Sequence, residues 1–120
     1  MEAKVTLRFQ AFSPLALEQM STDVSQAIIN SVCRCVERHA TESNIRFTIA
    51  VTSDKLVKLY DSLQATQITF DQDYSAIINN AAQQYSVYRD IELILDITSK
   101  LDADLKRQQF RSLHLPFIAL

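Results

Sequence analysis

The densest group of chemically capable side chains is the run CRCVERH, which holds Cys33, Cys35 and His39. Thiolate and imidazole are zinc ligands, and together they can form a nucleophile and its base. Read as a helix, the run sets Cys35 and His39 four apart on one face while Cys33 points away. At most two ligands then converge, and a structural zinc site takes four. Packing explains the run better, with Cys35 buried and His39 near a helix C-terminus. The other histidine, His114, has no acid at a telling spacing. A Cys35 and His114 pair would rest on a meeting in space that no local motif supports. The reading therefore assigns no catalytic residue, no metal ligand and no cofactor.

The carboxylates give the same answer. Asp71 with Asp73, and Asp102 with Asp104, fall at expected helix starts, where acids offset the helix dipole. General acid and base work needs a cleft around such a pair. The chain contains no glycine. Phosphate loops, nucleophile elbows and dinucleotide fingerprints all require glycine where backbone meets ligand closely, so these classes are excluded. Left-handed turns must then fall to other residues, with Asn44, Asn79 and Asn80 as the expected sites.

A chain of 120 residues with 48% apolar and 22% charged residues reads as one globular domain, residues 1–120. A net charge of −2 offers no general attraction to nucleic acid or anionic membrane. Cys33 and Cys35 are too close together to frame a secreted disulfide scaffold, and MEAKVTLRFQ lacks an apolar signal core. The expectation is a cytoplasmic protein with no membrane segment.

The elements that must position any site follow from periodicity. KVTLRFQAF alternates, with Val5, Leu7, Phe9 and Ala11 on one side and Thr6, Arg8 and Gln10 on the other, which predicts a strand. Ser13 as N-cap and Pro14 at the first helical position predict a helix directly after it. From Leu15 to His39, apolar residues including Met20, Val24, Ile28, Val32, Cys35 and Val36 recur at helical spacing, in one helix or in two with a break at STD, where Ser21 or Thr22 is placed to cap the second. NIRFTIAVT alternates again, and Ser53 and Asp54 are placed to cap the helix KLVKLYDSL. A short strand is expected from Ile68 to Phe70. Asp71 then caps a helix whose face carries Tyr74, Ile77, Ile78, Ala81 and Tyr85.

DIELILDITSK reads two ways. As a helix it leaves Leu93 and Ile97 off the stripe. As a strand it puts Ile91, Leu93, Leu95 and Ile97 on one side, with Ile94 out of place. Ser99 followed by Asp102 resembles a capping box, and a helix that starts at Ser99 cannot also run through it. The stretch is a strand, followed by a helix from Ser99 to Arg111.

Strands that alternate have one buried face. The fold class is therefore α+β, a two-layer sandwich with a sheet of three or four strands and helices on one side. A ferredoxin-like arrangement with extra helices is the first guess. The other sheet face carries Thr6, Arg8, Gln10, Arg46, Thr48, Thr52, Asp90, Glu92 and Asp96. Arg8 and Arg46 are candidate partner contacts, as are Leu115, Phe117, Ile118 and Leu120 of the apolar tail LHLPFIAL, which docks on its own core or on a second subunit. The leading reading is a non-enzymatic protein-interaction module, such as an adaptor, an inhibitor or immunity-type protein, or a regulatory subunit, that forms a homodimer. A second reading is a small-molecule binder or modest enzyme with a pocket between helices and sheet. A third is nucleic-acid binding through the helix from Ser99 to Arg111, whose Lys106, Arg107 and Arg111 form the most basic stretch, although short runs of this kind are usually a solvated helix face. The mixed charge of the sheet face makes that face a poor surface for phosphate.

Overall fold

The computed structural model describes residues 5–84 and 89–103. In chain order the elements are β1 (Val5–Ser13), α1 (Leu17–Asn30), β2 (Arg34–Ala40), β3 (Asn44–Thr52), a 3-10 turn (Ser53–Lys55), α2 (Leu56–Gln64), β4 (Thr69–Phe70), α3 (Ser75–Gln84) and β5 (Asp90–Ser99). The strands form one mixed five-stranded sheet in the order β2-β3-β5-β1-β4. β1 and β5 run parallel in unbroken register from Val5 opposite Ile91 to Ser13 opposite Ser99. The remaining neighbours pair antiparallel.

The α+β class and the two-layer arrangement are as expected, with five strands in place of three or four. With the 3-10 turn set aside, β1 through β4 follow the β-α-β-β-α-β order of ferredoxin-like folds. The additions are α3 and β5, and β5 becomes the middle strand, inserted between β3 and β1.

Strand alternation decides which face is buried. Phe9 and Ala11 of β1, Ile45, Phe47, Ile49 and Val51 of β3, and Ile91, Leu93, Leu95 and Ile97 of β5 all point to the same side. They form one core cluster with Met20, Val24 and Ile28 of α1, Leu56, Leu59 and Leu63 of α2, and Ile78 of α3. The helices therefore share one face of the sheet. At one edge of this core Phe9 stacks on Tyr74, ring centroids 4.0 Å apart, with Phe70 and Tyr60 packed edge-on or tilted around them. The Tyr74 hydroxyl accepts the Gln10 N–H at 3.1 Å and donates to Asp71. The Asp71 N–H in turn donates to the Gln10 carbonyl. These bonds hold the short β4 and the start of α3 against β1.

The helix expected to run to His39 ends at Asn30. The Val32 N–H donates to the Ile29 carbonyl and the Cys33 N–H to the Ile28 carbonyl, the paired bonds of a Schellman motif. Such a motif needs a left-handed residue, and Val32 fills the position with φ 58°. The asparagines expected in that role do not take it among the described residues. Beyond the motif the chain becomes strand β2, whose residues are exposed throughout. The helical spacing of Val32, Cys35 and Val36 carries no burial.

Helix starts also differ in detail from the expected caps. Ser13 accepts the Leu15 N–H at 3.1 Å, and α1 begins later, after Ala16. Ser53 and Asp54 enter the 3-10 turn, and α2 follows with no side-chain cap bond. Asp73, not Asp71, accepts the Ser75 N–H at the start of α3, where Ile77 is exposed. Ser99 does cap the helix after β5, accepting the Asp102 N–H at 3.1 Å. That helix is described only over residues 100–103. Tyr85, Asp104, Arg111, His114 and the tail residues Leu115, Phe117, Ile118 and Leu120 lie outside the described residues.

Candidate interaction face

Because odd-numbered positions of β1, β3 and β5 fill the core of this sandwich, its other sheet face is a grid of β2, β3, β5 and β1 side chains. Strand register sorts them into rows. One row runs Arg34, Ala50, Glu92, Thr6. The next runs Glu37, Thr48, Ile94, Arg8, and the third His39, Arg46, Asp96, Gln10. Asn44, Thr98 and Phe12 follow.

The face is polar with an apolar centre. Ile94, the residue out of place in the strand alternation, sits on this side at 8% exposure, flanked by Thr48 and Arg8. Among the described residues no helix packs on this side of the sheet. Beside it Arg46 donates from Nε to Asp96 Oδ1 at 2.8 Å and from Nη2 to Oδ2 at 3.4 Å, a forked pair. The hydrogen bond to Asp96, and after it the carboxylate charge, raise the Arg46 pKa above its ordinary value. The guanidinium is a fixed charge at any workable pH.

Depressions in this face bring several of these side chains together. One of about 470 Å³ is lined by Arg34, Val36, Glu37, Ala50, Asp90 and Glu92. Another, about 260 Å³, is lined by Gln10, Phe12, Asn44, Arg46, Asp96 and Thr98. The Asn44 amide donates to the Thr98 hydroxyl at 3.2 Å, and the Lys100 ammonium lies 5.2 Å from the Phe12 ring centroid. Phe12 was absent from the residues read off the sequence. Its even number, shared with Thr6, Arg8 and Gln10, was the available signal.

Of the expected contact residues, Arg8 and Arg46 share the exposed face, on β1 and β3 with β5 between them. Leu115, Phe117, Ile118 and Leu120 are outside the described residues. Cys35 and His39 belong to an edge strand, not to a helix. Cys35 pairs with Ile49, on the helix side of the sheet, and His39 pairs with Arg46, on the open side, so the two side chains diverge. Cys33 is half-buried, which pushes its thiol pKa up. Among the described residues no group of three or more His, Cys, Asp or Glu could hold a metal ion. Among the same residues no helix is long and apolar enough to cross a membrane.

No family model matches the chain, and no curated protein or solved structure matches it either.

Proposed function

We propose that the protein is a small non-enzymatic interaction module, an adaptor, inhibitor or regulatory subunit, and that its open sheet face meets another protein. The observation that carries this reading is the pattern of Arg8, Arg46, Glu92 and Asp96 around Thr48, all on hydrogen-bonded strands of one sheet. Charges held in register on strands give a partner a defined pattern to match, which favours specificity. Phosphate is a poorer fit, because Asp90, Glu92 and Asp96 line the middle strand and would repel it. The unpaired thiols of Cys33 and Cys35 support a reducing setting such as the cytoplasm.

The test compares Thr48→Arg, in the centre of the face, with Val57→Arg on the exposed side of α2. A protein captured from an extract of the cells that make the chain should be lost with Thr48→Arg and kept with Val57→Arg. Equal capture by both variants contradicts the reading.

A further inference from the structure

The geometry points to a second copy of this chain as the occupant of the open face, packed sheet against sheet about a two-fold axis parallel to the strands and midway between β3 and β5. This rests on the interaction-module reading above and names the partner.

Such an axis keeps every residue in its own row and exchanges columns. β5 lies over β3 of the second copy, and β1 lies over β2. In the third row Arg46 then faces Asp96 of the second copy, and Asp96 faces its Arg46. The two internal ion pairs thereby close into a ring of alternating charge around the axis. In the row beside it Arg8 faces Glu37 of the second copy, again reciprocally, and Ile94 meets Thr48. Ala50 covers Glu92, Thr6 covers Arg34, and Gln10 covers His39. No like charges oppose each other anywhere in these rows.

Two other placements fail on the same grid. An axis directly over β5 sets Asp96 against Asp96 of the second copy. An axis across the strands at Ile94 sets Asp96 against Glu92. Like charges brought together at a contact are costly. The β2 edge is also a poor joint, because its register shifts between Cys35 and Glu37, and such bulges disrupt edge-to-edge pairing. Sheets that pack face to face keep their strands within about 30° of each other, so rows close to the axis stay in register. Four strands at ~4.8 Å spacing and ~3.3 Å rise per residue present on the order of 500 Å² per protomer. Roughly 1,000 Å² for the pair reaches the lower bound of specific interfaces.

Arg8 and Glu37 supply the decisive test. Within one chain they are separated by β3 and β5, so they cannot pair internally, and both are exposed. Solution mass by light scattering over a concentration series should show the wild-type chain as a dimer of 13.7 kDa protomers. Arg8→Glu sets Glu against Glu37 of the second copy at both symmetry-related positions, and Glu37→Arg sets Arg against Arg8. Each variant alone should dimerise about ten- to thirty-fold more weakly. An equimolar mixture of the two variants restores opposite charges at both positions and should recover wild-type dimerisation.

Circular dichroism on each variant separates misfolding from dissociation. Single variants that dimerise as wild type does, or a mixture no tighter than its components, overturn the proposal. A wild-type chain that stays monomeric also overturns it. If that monomer still captures another protein in a Thr48→Arg-sensitive way, the interaction-module reading survives. If it does not, both fail.

Discussion

Asp102 accepts the backbone N–H of Leu17 at 2.6 Å, so a residue that follows the last described strand caps the first α-helix. Ser99, the last residue of the parallel register, supports the same joint. Its hydroxyl donates to the Leu15 carbonyl at 2.7 Å and accepts the Asp102 N–H. The sequence places Ser99 and Asp102 at capping-box spacing, but the carboxylate turns to a different helix. Loss of a capping carboxylate costs about 1 kcal/mol, so Asp102→Ala should lower the unfolding free energy by that amount, read as a lower urea midpoint with an unchanged slope. Asp102→Asn keeps an acceptor and should lose about half as much. An unchanged midpoint for Asp102→Ala would show that the bond contributes nothing.

Val32 gives a prediction of the opposite sign. Left-handed geometry costs a non-glycine residue about 1–2 kcal/mol, and a β-branched side chain sits there poorly. At 66% exposure Val32 offsets little of this by burial. Val32→Gly relieves the strain but frees the unfolded chain, which takes back about 0.5–1 kcal/mol. The net expectation is a stabilisation of about 0.5–1 kcal/mol, read as a higher urea midpoint with an unchanged slope.

Tyr74 should make stability fall in alkali. Burial raises its pKa, and its hydrogen bond to Asp71 raises it further. The folded state therefore holds the phenolic proton more tightly than the unfolded state, whose tyrosine titrates near about 10. That contribution is complete below the unfolded value and is lost as pH rises through the folded one. Tyr74→Phe should be less stable at neutral pH by about 1–2 kcal/mol, because the Gln10 N–H loses its acceptor. Its stability should decline less between pH 9 and pH 11, values chosen to span roughly that titration. Parallel pH profiles would contradict this account.

The two cysteines should differ sharply in alkylation. Cys35 is exposed on the edge strand, while Cys33 is half-buried with its thiol pKa pushed up by that burial. Thiolate is the reactive form. Iodoacetamide near neutral pH should label Cys35 first, with Cys33 following slowly, as peptide mass spectrometry would show. Equal rates would place Cys33 in a more open setting.

What the sequence made legible follows burial. β1, β3 and β5 each bury one side, so alternation identified them, and it named Arg8, Arg46, Glu92 and Asp96 as members of one face. β2 escaped because an edge strand exposed on both sides has no periodicity of burial to display. The helix end before it escaped because the usual glycine is missing and Val32 stands in its place. Ile94 broke the alternation of β5 and looked like an error in the pattern. Its side chain instead lies on the sheet face opposite the helix-side core, beside Thr48 and Arg8. The pairing of Arg46 with Asp96, 50 residues apart, depends on β3 lying beside β5. No local feature of either segment announces that neighbour relation.

The most direct measurement of how copies associate is the distance between spin labels at Val57→Cys, on the helix layer, with Cys33→Ser and Cys35→Ser removing the native thiols. Sheets packed ~10 Å apart, each with a helix layer ~10 Å further out, place labels on opposite α2 helices about 35 Å or more apart. A distribution centred there is the expected result. One centred below about 20 Å would put the helices at the interface, and the absence of any intermolecular distance would leave the chain without a self-association to explain; either would contradict the account.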